Sequence, residues 1–359
     1  MKITIVGGGN IGTQFAVHCA EKGHEVIVYT SAPSVFDGYV NIVDENGITT
    51  HEGRIRQATN DPRVAFEKAE LIMITFPAML MDRIAQVIYE YADHNAIIGV
   101  VPGNGGSECA FRKCIERCNI FFGIERVPAI ARLVTKGKTV KSTGYRSELH
   151  VASIPRDAVD RCCELVQSIF DIPCLPIPNY LNLTLTPSNP ILHTTRLRTI
   201  FKDYHDGVVY HKLPLFYEEW DDESSELLLA CDDEVQSVCK SLPDFQLDYV
   251  KSLKEHYESS TVEAMTKKIS SIEAFKGLKT PSVVIEGGLV PDLNSRYFTA
   301  DFSFGLTIIQ QIAKFANVST PNIDNTLLWY CSIAKEDNEF RFSDYSISCL
   351  KELSILYLK

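Results

Sequence analysis

The chain has 359 residues, 45% of them hydrophobic and 23% charged, with a formal net charge of −11. This composition excludes disordered, collagen-like and low-complexity scaffolds. The acidic balance excludes a nucleic-acid or anionic-membrane binder, whose surface is basic. The length suits two domains. Residues 1–180 hold 18 basic and 20 acidic side chains, and residues 181–359 hold 17 and 26, so the halves differ in electrostatics. The 11 cysteines are odd in number and irregularly spaced, with no CxxC pair. Cys109, Cys114 and Cys118 lack a zinc-site pattern, so a reduced, cytoplasmic protein with buried thiols is expected. The apolar run of the N-terminal MKITIVGGG stops too early for a signal peptide, and no stretch approaches the ~20 apolar residues of a membrane span.

Lys2 to Val6 predicts a short buried parallel strand, followed directly by Gly7-Gly8-Gly9-Asn10-Ile11-Gly12. Thr13 to Lys22 predicts a helix with Phe15, Ala16, Cys19 and Ala20 on one face. Gly23 ends it, and His24 to Tyr29 predicts a second strand. Strand, GxGxxG, helix and strand in this order form the dinucleotide-binding βαβ unit of a Rossmann fold. Gly7 permits the tight turn, Gly9 lets backbone approach a pyrophosphate, and Gly12 allows close helix–strand packing. Unpaired N–H groups at the helix start, Asn10 and Ile11 among them, then face the phosphates. An NAD site places Asp or Glu at the end of the second strand. Thr30 and Ser31 stand there instead, which favours NADP over NAD.

Leu71 to Phe76 and Ala96 to Val101 are apolar runs that predict central strands. The first ends at Pro77-Ala78 and the second at Pro102-Gly103, both at the expected cofactor crevice. A helix is expected from Ser107-Glu108, with Ser107 as its cap. Further strands are expected at 120–123, 149–154 and 174–177, with a helix at 161–170. This alternation predicts an α/β fold, a doubly wound parallel sheet over residues 1–183. An all-α C-terminal domain is expected over 184–359, with helices at 190–203, 222–241, 245–258, 260–267, 304–316 and 321–335. The cleft between the two domains is the default substrate site.

Asn189 and His193 are four apart on a predicted helix and share a face. Arg296 and Asp301 lie on a loop that enters a helix, where function often sits. Spacing alone leaves a core histidine and a structural ion pair as open alternatives. The acidic clusters at 220–223 and 231–234 together read as a solvated face and an N-terminal helix cap. No HxxxH or His–carboxylate spacing supports a metal, and none is expected.

The chain resembles the octopine (opine) dehydrogenases, in particular the bacterial enzymes that join a 2-oxo acid to an amino acid. The resemblance rests on GGGNIG at 7–12, FPA at 76–78, PGNGGSECAFRK at 102–113 and GIERVPAIAR at 123–132. It continues with SNPILH at 188–193, IEAFKGLKTP at 272–281, RYFTADFSFGL at 296–306 and ANVSTPNID at 316–324. It implies a catalytic His193 paired with Asp301, and an Arg296 that contacts a substrate acid group or the cofactor. It also implies Asn189 as a ligand of the oxo-acid carboxylate, and Glu125 and Arg132 as further positions facing the cleft. In the family's loop a Glu precedes the aspartate; here Ala300 replaces it. Residues 204–245 resemble nothing specific.

The implied reaction is reductive condensation of an amino acid with a 2-oxo acid such as pyruvate, through an imine, using NADP(H) or NAD(H). The expected partners are these small molecules alone, with neither nucleic acid nor membrane, in a monomer or homodimer. Two other readings compete. One is a two-domain reductase of the ketopantoate reductase, glycerol-3-phosphate or 6-phosphogluconate dehydrogenase type, which relies on a catalytic lysine. The other is a non-catalytic NADP(H) sensor. Tyr180 to Thr186 and Gly287-Gly288 are the expected moving connections.

Overall fold

The computed structural model describes residues 1–103, 105–117, 119–186, 188–334 and 339–359. Asn104 of the glycine-rich loop, Cys118, Pro187 and the end of the helix expected to reach 335 lie outside the described residues. The chain divides into two compact units, Met1–Leu183 with Ser354–Lys359, and Thr184–Leu353. The last six residues therefore sit with the first unit. The Arg156 N–H donates to the Lys359 carbonyl at 2.9 Å, Lys359 Nζ donates to the Ile115 carbonyl at 3.0 Å, and the Tyr357 hydroxyl donates to Glu108.

The strands of the first unit are β1 (Lys2–Val6), β2 (Glu25–Tyr29), β3 (Tyr39–Val43), β4 (Thr49–Arg54), β5 (Gln57–Thr59) and β6 (Leu71–Ile74). They continue with β7 (Ile97–Val100), β8 (Phe121–Ile124), β9 (Ile130–Thr135), β10 (Thr139–Thr143), β11 (Leu149–Ile154) and β12 (Cys174–Pro176). The main sheet runs β12-β11-β8-β7-β6-β1-β2-β5. It is parallel except between β8 and β11, which pair antiparallel. β6, β7 and β8 are buried at every position, as strands covered on both faces must be.

A second sheet, β4-β3-β10-β9, is absent from the sequence expectation. Its outer strands alternate and carry charged residues (TTHEGR in β4), so they do not stand out as apolar runs. This sheet packs on α1 (Asn10–Glu21). Val40, Ile42, Ala131 and Val140 share one core with Phe15, Ala16 and Cys19. With a sheet on each side, α1 is buried from Gly12 through Cys19. Burial, with His51 and Lys22 nearby, pushes the His18 imidazole down to about 3, so that ring is neutral at physiological pH. Further helices are α2 (Met81–Tyr91) and α3 (Val159–Phe170). The short helix at Ser107–Ala110 is preceded by Gly106 at φ 86°, so Ser107 is its first helical residue and not its cap. All ten described cysteines are free.

The second unit is built on α4 (Ser188–Ile200), α5 (Asp222–Ser241), α6 (Val262–Ser270), α7 (Thr307–Phe315) and α8 (Pro321–Ile333). It is helical but not all-α. A hairpin pairs β13 (Ser282–Ile285) with β14 (Gly288–Pro291), and the tight turn between them contains Gly287 at φ 92°. Gly287-Gly288 is therefore hairpin geometry. Likewise most of the 180–186 segment forms a helix, Leu181–Leu185. The helix expected over 245–258 shrinks to Leu253–His256, because Gln246 turns left-handed at φ 51° and Ser252 opens a capping box with Glu255.

The acidic cluster at 220–223 caps α5 through Asp221, which accepts the Ser224 N–H at 2.8 Å. The cluster at 231–234 is not a solvated face. Asp232 is buried and accepts the Leu253 N–H at 2.8 Å. Glu234 accepts the Asn322 and Ile323 N–H groups at the start of α8, at 2.8 and 3.0 Å. Within this cluster, Asp233 does face outward and pairs with Lys254.

Candidate active site

In the first unit the chain leaves β1 toward β2 on one side and reaches β6 on the other. The carboxyl ends of β1 and β6 therefore border the crevice where such sheets bind ligands. Gly7 follows β1 at φ +113°, and a Cβ there would lie 2.5 Å from Thr75 Oγ1 at the end of β6. A Cβ on Gly12 would lie 1.8 Å from the Gly7 carbonyl oxygen. Both positions demand glycine for packing. Gly9 differs: it is exposed, and its Cβ would meet nothing within 4 Å. That open space lies at the start of α1, which has no acidic residue in its first turn and no side-chain cap. The N–H groups of its first turn have no intrahelical acceptor. This arrangement suits a pyrophosphate, so the loop fits a nicotinamide dinucleotide.

Asn10 fixes the loop, its Oδ1 accepting the Leu133 N–H of β9 at 2.8 Å. Arg132, exposed and one residue earlier, thus lies on the strand pinned to the glycine loop. Ile11 packs on the core. At the end of β2, Thr30 Oγ1 accepts the Ala32 N–H at 3.3 Å, and Ser31 is exposed. Pro77 is exposed and Ala78 buried just beyond β6. Gly103 is buried, and a Cβ there would lie 3.0 Å from Gly123 Cα, so packing between strand ends accounts for that glycine. The Glu125 carboxylate is engaged by Arg126 at 3.2 Å and His150 at 3.5 Å.

In the second unit, α4 carries Asn189, His193 and Arg196 at helical spacing. Asn189 is exposed, while His193 is 4% exposed and Arg196 fully buried. Asp301 opens a π-helical turn, Asp301–Leu306, between the short helix Arg296–Thr299 and α7. A Cβ on Gly305 would lie 2.9 Å from the Pro190 ring, so this glycine lets the π turn approach α4 closely. Phe302 stacks on Tyr330 with ring centroids 4.4 Å apart and holds the turn from the other side. The result is a 2.7 Å contact between His193 Nδ1 and Asp301 Oδ2.

The other imidazole nitrogen, Nε2, lies 2.7 Å from the Tyr217 hydroxyl. Tyr217 was not foreseen from the sequence. It is delivered by Arg196, three residues after His193. The guanidinium donates to the Phe216 carbonyl at 2.9 Å, to the Glu219 carbonyl, to Asp221 at 2.7 Å and to Ser224 at 2.9 Å. One buried cation thereby clamps segment 216–221 onto α4. Tyr217 also stacks on Phe275, with centroids 4.3 Å apart. Burial first, then the neighbouring Tyr297, raises the Tyr217 phenol far above the ordinary tyrosine value, so it stays protonated. In the neutral imidazole with Nδ1–H donating to Asp301, the Tyr217 O–H donates to Nε2. The Tyr297 ring lies 4.4 Å from the imidazole. Arg296 is exposed, and no hydrogen bond or ion pair among the described residues engages its guanidinium.

Residues 176–334 match the NAD/NADP octopine/nopaline dehydrogenase alpha-helical domain, and residues 2–105 match the NAD-dependent glycerol-3-phosphate dehydrogenase N-terminus. The chain is 25% identical to the octopine dehydrogenase of Mizuhopecten yessoensis, over 92% of this chain and 89% of that protein. It is 25% identical to the opine dehydrogenase of Arthrobacter sp. (strain 1C), over 94% and 91%. An octopine dehydrogenase structure with NADH and pyruvate superposes with a TM-score of 0.83 at 22% identity, covering 99% of this chain and 98% of the other. Residues 176–334 thus resemble the helical domain of octopine dehydrogenases and residues 2–105 a dinucleotide-binding unit ahead of it, so the chain is similar to the opine dehydrogenases over more than nine-tenths of its length.

Proposed function

We propose that this enzyme joins an amino acid to a 2-oxo acid such as pyruvate through a secondary amine, with His193 as its acid–base group. The observation that carries the assignment is the 2.7 Å contact of His193 Nδ1 with Asp301. The relatives named octopine, opine and tauropine dehydrogenase support the substrate classes.

The cofactor residues are Gly7, Gly9, Asn10, Ile11 and Gly12 of the loop, with Thr30, Ser31, Pro77 and Ala78 at the neighbouring strand ends. The bound dinucleotide supplies the hydride. Hydroxyls in place of a carboxylate at Thr30 and Ser31 favour a 2′-phosphate, hence NADP. Arg132 belongs with this group through its place beside Asn10.

Condensation of amine and carbonyl expels water, and protons must leave the amine and reach the departing oxygen. A histidine suits both transfers near neutral pH. Asp301 fixes the tautomer with Nδ1–H and stabilises the imidazolium. Nε2 is then the working nitrogen, and with His193 almost fully buried it exchanges protons through the Tyr217 hydroxyl. The Arg296 guanidinium offers a bidentate fork for a substrate carboxylate. Asn189, one turn before His193, offers an amide to the oxo acid. Free thiols throughout the described residues suit a cytoplasmic setting.

The test is an NADH and NADPH oxidation screen of 2-oxo acids against an amino-acid panel. Oxidation that requires both co-substrates supports the reading. Oxidation with the 2-oxo acid alone identifies a simple reductase and overturns it.

A further inference from the structure

We propose that the far end of α1 carries a binding site for a late first-row divalent metal ion such as zinc, formed by His18, Glu21 and His51. The donor atoms of these three side chains all lie within 4.8 Å of one another. A tetrahedral ion with bonds of ~2.1 Å holds its donors ~3.4 Å apart, so the site closes by modest side-chain rotation. The residues able to rotate are the right ones. Glu21 and His51 are 36% and 34% exposed, and they already meet, with His51 Nδ1 2.8 Å from Glu21 Oε2. His18 is buried and fixed. Its Nε2 lies 3.1 Å from the Tyr145 hydroxyl, and its ring centroid lies 4.7 Å from that of His51. A buried ligand oriented by an outer hydrogen bond is how metal-binding histidines are held.

Two imidazoles and a carboxylate, with one position left for water, form a donor set that zinc and its neighbours accept. No HxxxH spacing marks this set in the sequence, since His51 lies 30 residues beyond Glu21. The two α1 residues, three apart, share a helix face, and β4 brings His51 against it. The location also favours a cation. Glu21 is the last residue of α1, where the helix dipole is negative. The charge of Lys22 next to it is taken up by Asp171 at 2.6 Å. The site is the length of α1 away from the glycine loop, roughly 16 Å by helix rise. The ion would tie α1 to β4 and take no part in the chemistry.

The experiment uses the full-length protein stripped with chelator, in a Cys331→Ser/Cys349→Ser background that removes the two exposed thiols among the described residues. Zinc chloride is titrated calorimetrically, and thermal unfolding is followed with and without zinc. The expected result is uptake of one equivalent with a rise in unfolding temperature and an unchanged Kd for the dinucleotide. Glu21→Gln and His51→Gln, both at partly exposed positions, should each weaken uptake at least tenfold and abolish the thermal shift. No uptake in the Cys331→Ser/Cys349→Ser background, or binding that survives either substitution, overturns the site.

Discussion

The Tyr217 hydroxyl and the Asp301 carboxylate hold opposite nitrogens of one imidazole, each at 2.7 Å from His193. Asp301, an acceptor, favours Nδ1–H, and the Tyr217 hydroxyl then donates to Nε2 of the neutral ring. If Tyr217 carries the proton to and from Nε2, Tyr217→Phe should lower turnover by about 10- to 100-fold, within the range for a group in acid–base catalysis, with dinucleotide Kd unchanged. If the hydroxyl only blocks Nε2, turnover will hold or rise. Steady-state kinetics beside a dinucleotide titration separates these outcomes.

His193→Ala should cost about 10²- to 10⁴-fold in turnover and leave dinucleotide binding nearly intact, because the two functions lie in different units. Asp301→Asn should cause a loss of similar order by removing the acceptor that sets the tautomer. The double variant should lose little more than either single one, since groups acting as a unit are not additive. Additive losses would show that the two residues act separately.

Two glycine substitutions should part company. Gly9→Ala places its methyl in open space from a backbone at φ −85°, which alanine accepts, so the unfolding temperature should hold while dinucleotide Kd rises at least about tenfold. Gly12→Ala drives a methyl to within 1.8 Å of the Gly7 carbonyl and should cost about 1–3 kcal/mol or more in stability. Thermal unfolding and a fluorescence titration of each variant check both.

Removing the clamp that delivers Tyr217 should be costly. Arg196→Met takes the donor from the carbonyl of the buried Phe216 and from that of Glu219, while the half-exposed Asp221 stays solvated, so the loss should be about 1–3 kcal/mol. Chemical denaturation measures the loss, and an unchanged midpoint would mean the clamp contributes little.

Asp232 supplies a pH signature. Burial pushes its carboxyl up to about 6 from 3.8. Between these values the folded chain holds a proton that the unfolded chain releases. Its contribution to stability is therefore full below about pH 4 and lost as pH rises to 6, leaving a deficit of about 3 kcal/mol at neutral pH. Asp232→Asn keeps an acceptor for the Leu253 N–H and removes the buried charge. The variant should be more stable than the parent at pH 7 and lose that advantage at pH 4. Urea midpoints of the two proteins across this range give the comparison, and a constant difference would refute it.

Much of the first unit was legible because its signals are local. A short continuous apolar run such as Leu71–Ile74, bounded by turn residues, suits a strand covered on both faces, and GxGxxG between a strand and a helix marks the dinucleotide turn. The small sheet over α1 escaped because β4 and β9 are half-exposed and charged. The hairpin at 282–291 escaped because its strands face outward, with Val284 78% exposed, and carry no burial pattern. The acidic run at 231–234 misled because alternate residues of one helix stretch point inward and outward, and only packing shows that Asp232 and Glu234 receive N–H groups from 253 and 322–323.

The sequence by itself determined the dinucleotide loop, the helical character of the second half and, by resemblance, the pairing of His193 with Asp301. Each depends on residues close in the chain or on a motif order that survives without coordinates. Tertiary structure alone decided the rest: that Asp301, 108 residues from His193, reaches its Nδ1, that Tyr217 takes Nε2, and that His51 meets His18 and Glu21. Glycine sterics and strand hydrophobicity act within a few residues. The meeting of distant side chains depends on how close packed elements come, which here is set by Gly305 against Pro190 and by the buried fork of Arg196.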